Sequence, residues 1–452
     1  MVCGVLKCVS NRLAYQPHPV QKLNSVQWLL VLPLPCPAQE GLLPAVLLNC
    51  RSIMLFLALL TVASVALVGA TPSRVGPRAA ICTPKAGGSS STDDVPAIQS
   101  AIAACPSGTI VIPSGATYYV NSVLTLAGCK GCTLQVEGLV KASSDTTYWN
   151  GKTAIFLAQN IDGLTVTSTT GSGVFDGAGQ ASWDKFATDS SYDRPTLFYV
   201  TGSKNVKMSN LSFKNAPNVF HSVTGGSSNV AYTNITLSAA SNSSNPPKNT
   251  DGWDIGSSTY VTINGATVTN DDDCVAFKPG ADYVEIYNIS CTGSHGISVG
   301  SLGSKAGRTD TVSNVVVSGA KMSTSTKAAG IKLYAGGSSY GTAVVSNVTF
   351  KDFTVAGSDY AFQVQSCYNS DAGYCASNPS TANISGVVVS GFSGTTSTKY
   401  APVVANINCP KAGSCGIAMS SMTVKAGSGT AKYQCANTPS SLGVTCSSGA
   451  SG

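Results

Sequence analysis

Residues 249–301 read NTDGWDIGSSTYVTINGATVTNDDDCVAFKPGADYVEIYNISCTGSHGISVGS. The stretch holds Asp251, Asp254, the run Asp271-Asp272-Asp273, and His295 in a chain that is only 11% charged. Asp251 and Asp272 are 21 positions apart, and Asp272 and His295 are 23 apart. Between them lie Tyr260-Val261-Thr262-Ile263 and Tyr283-Val284-Glu285-Ile286, short segments of period two. If each interval is one turn of a parallel solenoid, the acids and the histidine stack on neighbouring rungs about 4.8 Å apart.

Moving outward, the same unit recurs. Val206, Val230, Val261, Val284, Val315, Val348 and Val387 each sit in a β-branched strand behind an Asn, Tyr or Gly, at intervals of 24, 31, 23, 31, 33 and 39. No amphipathic helix separates these units, so the crossovers that parallel strands require are supplied by coiling. The expected fold is all-β, a single-stranded parallel β-helix. Uneven intervals place insertions in the turns, where they would wall a cleft. Hairpin signals for a β-sandwich are missing. Residues 92–105, TDDVPAIQSAIAAC, read as a short capping helix. Thr92 or Asp93 is the cap, Pro96 lies in the first turn, and Ile98, Ile102 and Cys105 share one face. Such a helix covers the open first rung.

The front of the chain reads differently. From Met54 the sequence MLFLALLTVASVALVGA is a secretory signal pattern covering residues 54–70. Residues 1–53 are expected to be an upstream translation artefact, residues 71–78 a short propeptide, and residues 79–452 the catalytic domain. A signal anchor is the rival reading of the apolar run. Residues 1–78 carry six of the 27 basic residues and one of the 21 acidic ones, so the net charge of +6 falls to near +1 without them. Nucleic-acid binding gains no support from that balance. Twelve of the 16 cysteines remain, an even number suited to an oxidising compartment. Close neighbours are Cys129 and Cys132, Cys367 and Cys375, Cys409 and Cys415, and Cys435 and Cys446; Cys82 with Cys105 and Cys274 with Cys291 complete six local bridges. Cys129-Lys-Gly-Cys132 lacks the second pair or histidine that a zinc site needs. Sequons at Asn210, Asn234, Asn242, Asn288, Asn347 and Asn383 fit a glycosylated, secreted protein.

Crowded carboxylates cannot all ionise easily, so at least one of Asp251, Asp272 and Asp273 is expected to hold a raised pKa. That supplies a proton donor beside ionised partners, as cleavage of a glycosidic bond demands. Taken singly, the triple aspartate reads as a solvated or calcium-binding turn. Its alignment with Asp251, His295 and a lysine favours chemistry. Lys332, in Gly330-Ile331-Lys332, is a strand lysine that either snorkels or pairs with a substrate carboxylate. Tyr360 suits core packing and substrate contact equally.

NTDGWD, DDDC, GSHGISVGS and GIK, in this order, resemble the signature of the polygalacturonase family, glycoside hydrolase family 28, over residues 80–452. The resemblance implies a right-handed, pectin-lyase-like β-helix and an inverting hydrolase of α-1,4-linked galacturonate. It implies Asp272 as general acid, Asp251 and Asp273 as the residues activating water, and His295 as their support. Lys332 would bind a galacturonate carboxylate, with Asp254 and Tyr360 as further contacts. An acid–base separation of about 6.5–9.5 Å is expected of an inverting pair. The usual Arg-Ile-Lys is Gly330-Ile331-Lys332 here, which removes a bidentate clamp. Within the family, Lys327-Ala328-Ala329-Gly330-Ile331-Lys332 and Ala436-Asn437-Thr438-Pro439 are similar to the xylogalacturonan-cleaving members. Gly330 is then expected to leave room for a xylose branch, and Gly330→Arg to shift preference toward bare polygalacturonate. The expected partner is a pectic polysaccharide, met by a secreted monomer with no metal, no cofactor, and no membrane after signal cleavage. Exo- or endo-cleavage of unbranched galacturonan is the nearest alternative. A calcium-dependent lyase and a non-enzymatic adhesin are more distant ones.

Overall fold

A computed structural model describes residues 80–452. The expectations for residues 1–53, 54–70 and 71–78 lie outside the described residues. Strands form two sheets, one of 15 and one of 12, and every named pairing is parallel. In the 12-stranded sheet short strands follow one another in chain order, from Leu124–Thr125 through Trp253–Ile255, Asp273–Phe277, Gly296–Leu302, Ala329–Leu333 and Phe362–Gln365 to Cys446–Ser447. From Lys204 to Ser420 each coil gives one long strand to the larger sheet, while the first coils give it two short ones, and the whole is a right-handed parallel β-helix.

The seven valines of the repeat stand in direct register: Val206 opposite Val230, then Val261, Val284, Val315, Val348 and Val387. All seven are buried. The residue before each valine has a physical explanation. Asn205, Asn229, Tyr260, Tyr283, Asn314 and Asn347 bend the chain at φ between 50° and 57°. Asparagine tolerates this left-handed region better than most residues. Its side chains also form a ladder, with Asn229 donating to Asn205 at 2.5 Å and Asn347 donating to Asn314 at 2.7 Å. Where tyrosine takes the position, Tyr260 and Tyr283 stack with ring centroids 5.0 Å apart.

The capping helix runs Val95–Ala104 and buries Val95, Ile98, Ala101 and Ile102 against the first strands. Its N-cap is Asp94, not Thr92 or Asp93. The Asp94 carboxylate accepts from the Gly87 and Tyr119 N–H groups instead of the helix's own. It therefore ties the cap to the coil. Three helices not anticipated from the sequence also occur among the described residues: Thr146–Trp149, Gln180–Thr188 and Ala372–Ser377. The last lies in the 39-residue interval between Val348 and Val387, where the sequence demanded an insertion. The six cysteine pairs are bonded as the spacing suggested.

Inside the coil, His221 is fully buried. It stacks on Trp253 at 5.5 Å and meets the edge of Phe213 at 4.4 Å. Neither imidazole nitrogen has a hydrogen-bond partner. Burial lowers its pKa to about 3, so it is neutral at ordinary pH.

Candidate active site

The acidic groups meet on the 12-stranded sheet. Trp253 pairs with Val275 and Asp273 pairs with Gly296, so Asp251 and Asp273 come together on adjacent coils. The His295 N–H donates to the Asp272 carbonyl at 2.7 Å, which fixes the next step of the stack. Asp251, Asp272 and Asp273 each offer an oxygen within 4.8 Å of the others. Asp272 and Asp273 are neighbours in the chain, and the coil above brings Asp251 to them. The same three oxygens could share a cation; Asp251, Asp272 and Asp273 also face Lys278, His295 and Lys332.

Each carboxylate has its own setting. Asp272 accepts from His295 Nδ1 at 3.0 Å, from the Asp273 N–H at 2.8 Å and from Asn249 Nδ2 at 3.1 Å. Burial opposes its ionisation, but these donors and the nearby charges prevail and lower its pKa to about 2. The hydrogen bond to Asp272 in turn raises His295, against the effect of its burial. Asp273 is 1% exposed and is gripped by Ser298 Oγ at 2.9 Å and Lys332 Nζ at 2.5 Å. Asp251 is raised well above the ordinary carboxylate range by burial, then by Asp254 and Asp272. Lys278 partly opposes this, lying 3.6 Å from Asp251 and 3.3 Å from Asp254. Asp254 is also raised, chiefly by burial. A raised carboxyl is therefore present as expected, and among the three it is Asp251, whereas Asp272 is lowered.

Sequence reasoning missed several members. Lys278 closes the Asp251–Asp254 side; it lies one residue beyond the strand Asp273–Phe277. Arg194 arrives from a distant turn. It donates to the Pro217 and Lys248 carbonyls at 3.1 and 2.6 Å and to Asn249 Oδ1 at 2.8 Å, while stacking over Phe186 at 3.7 Å. Arg194 thus pins the turn whose Asn249 amide holds Asp272. No local motif marks it. Lys332 pairs with Asp273 and also lines the cavity beside the acids, with its ammonium 5.3 Å from the Tyr368 ring.

Beside the acids is a cavity of about 340 Å³ lined by His295, Lys327, Lys332, Tyr360, Tyr368 and Tyr400, among others. Tyr360 is not a core residue: it stacks flat on Tyr400 at 4.8 Å. The space over Gly330 is not vacant. A Cβ there would lie 2.4 Å from the Gln363 carbonyl oxygen and 2.9 Å from Lys327 Cδ. The room expected for a xylose branch is filled by the Lys327 stem, because that side chain crosses the glycine.

Opposed carboxylates, a shared imidazole proton and flanking tyrosines on a parallel β-helix define a glycoside hydrolase that works on an extended chain. Residues 104–448 match the description Glycosyl hydrolases family 28. The chain belongs to glycosyl hydrolase family 28, whose members invert the anomeric centre. It is 60% identical over 398 residues to endo-xylogalacturonan hydrolase A of Aspergillus tubingensis, covering 86% of this chain and 98% of that one. The crystal structure of endo-xylogalacturonan hydrolase from Aspergillus tubingensis superposes with a TM-score of 0.82 at 61% identity, over 82% of this chain and all of that one. A polygalacturonase from Erwinia carotovora ssp. carotovora shares the fold at 19% identity and a TM-score of 0.63, over 80% and 97% of the two chains.

Proposed function

We propose that this chain hydrolyses, from within, the α-1,4-linked galacturonate backbone of xylose-substituted pectin outside the cell. The observation that carries the reading is the convergence of Asp251, Asp272 and Asp273 within 4.8 Å, with His295 bonded to Asp272. Asp272 protonates the leaving glycosidic oxygen. The hydrogen bond to Asp272 raises the proton affinity of His295, which makes the imidazole the proton's source. A bound polyanion excludes water and adds negative charge, and both raise the proton affinity of Asp272. The proton then passes across the 3.0 Å hydrogen bond. Asp251 and Asp273 orient and deprotonate the attacking water. Lys332 holds Asp273, and Lys278 holds Asp251 and Asp254. Tyr360 and the neighbouring tyrosines offer flat faces to sugar rings. The 60% identity to an enzyme named for xylogalacturonan favours that substrate over unbranched galacturonan. Among the described residues no helix is long and apolar enough to cross a membrane. The signal-like residues 54–70 support secretion, and a monomer suffices because one coil stack supplies every group named.

The test is a product time course on xylogalacturonan beside polygalacturonate, with Asp272→Asn as control. Early release of a ladder of xylose-bearing oligomers, absent in the control, supports the reading. Cleavage of the bare polymer alone would move the chain to the polygalacturonases. Proton NMR of the first product should show the β-anomer. An initial α-anomer would overturn inversion for this chain.

A further inference from the structure

Lys327 lines the cavity beside the acids and has no task in the mechanism above; unlike Lys399, which pairs with Asp359 at 2.9 Å, it has no carboxylate partner among the described residues. Its side chain crosses a saddle formed by two glycines. A Cβ on Gly296 would lie 2.9 Å from Lys327 Cγ, and a Cβ on Gly330 would lie 2.9 Å from Cδ and 3.0 Å from Cε. Any side chain at either position would displace the stem. The residue is only 3% exposed, yet its ammonium makes a single hydrogen bond, to the His295 carbonyl at 2.8 Å. Among the described residues no carboxylate lies within 4.0 Å of it. A buried cation with one neutral acceptor is costly, and an anion delivered to it would offset that cost. Lys327 lines the 340 Å³ cavity together with His295 and Lys332. Burial and Lys332 lower its pKa to about 8, which leaves it charged at neutral pH.

Resting on the galacturonan reading above, we propose that Lys327 binds the carboxylate of the galacturonate unit lying over Gly330, as a single ammonium reaching across the glycine. The glycine is then the track for that cation rather than an opening. A point donor leaves the ring edge less constrained than a guanidinium fork would. That is the kind of contact a branched sugar needs.

Lys327→Met keeps the apolar stem and removes the charge. Its kcat and KM are measured on xylogalacturonan and on the same polymer with its carboxyls methyl-esterified. KM on the free acid should rise about 10- to 100-fold, with a smaller change in kcat. KM on the ester should not move, so the acid-over-ester preference of the wild type is largely lost. A folded Lys327→Met enzyme with wild-type preference overturns the proposal and leaves the hydrolase reading intact. Wild-type inertness on both galacturonans removes that reading and this proposal with it. If Lys327→Met does not fold, the Lys327 ¹³Cε resonance is titrated in ¹³C-lysine-labelled Asp272→Asn enzyme. Saturation with galacturonate oligomer should raise its midpoint by one pH unit or more, and an unmoved midpoint overturns the assignment.

Discussion

The His295–Asp272 hydrogen bond makes the two residues one titrating unit. Asp272 is ionised above about pH 2, and His295 holds its proton to a higher pH than a free imidazole. The pair therefore carries one proton across the acid range and loses it as pH rises through the raised His295 midpoint. The value of kcat/KM should fall on that alkaline limb. His295→Gln should remove the limb and lower kcat by roughly 10²–10⁴-fold. An unchanged limb would assign it to another group. On the acid side Asp251 takes up its proton early, because burial and its acidic neighbours raise it. Asp251→Asn should abolish turnover and leave the Asp272–His295 titration in place, as read by the imidazole ¹H shift.

At the scale of the element, the Lys248–Asn249 turn is held from outside by Arg194. Arg194→Met keeps an apolar contact with Phe186 but frees the Lys248 carbonyl and Asn249 Oδ1. The expected result is a kcat loss with little change in KM, and an Asp272 no longer restrained by the Asn249 amide. A rise in KM alone would mean that Arg194 touches substrate. Gly330→Arg belongs here too. Its Cβ meets a backbone oxygen at 2.4 Å, so the strand Ala329–Leu333 must shift. The variant should lose thermal stability and activity on both galacturonans, rather than exchange one substrate for the other.

Strand register was legible because the pattern is local. An Asn, Tyr or Gly that adopts positive φ precedes each in-register valine, so two adjacent letters encode both bend and core. The acids were legible for the same reason, since equal intervals become neighbours on a coil. Arg194 and Lys278 were not legible. Each is an isolated charge whose partners appear only after the chain has turned. Lys327 was visible as a residue, but its path over Gly330 was not. A glycine announces the absence of a side chain and says nothing about what passes across it. The helix Gln180–Thr188 was hidden as well: it has few apolar residues and buries only Ser182 and Trp183.

At the scale of the molecule, the interior aromatic stack sets an acid limit on stability. The unfolded chain protonates His221 near its ordinary 6.5, whereas the folded protein resists until about 3. Between those values the unfolded state binds more protons. Stability therefore falls as pH falls, by roughly 1.4 kcal/mol per pH unit from this one group. Replacing the imidazole with an apolar ring of similar shape removes that slope. His221→Phe should flatten the dependence of Tm on pH between 3 and 6.5, and differential scanning calorimetry at stepped pH would read it. A slope as steep as the wild type's would place the acid sensitivity in the carboxylate cluster instead.

Each coil touches only the coil before it and the coil after it. A perturbation therefore has a short reach, and genetic background should matter little beyond it. Substitutions at Val206 and Val389, many rungs apart, should add in free energy to within about 0.5 kcal/mol. Pairs on touching coils, such as Asp251 with Asp273, should not. Such a molecule can be varied at its ends and along its turns while the chemistry at its waist is inherited unaltered.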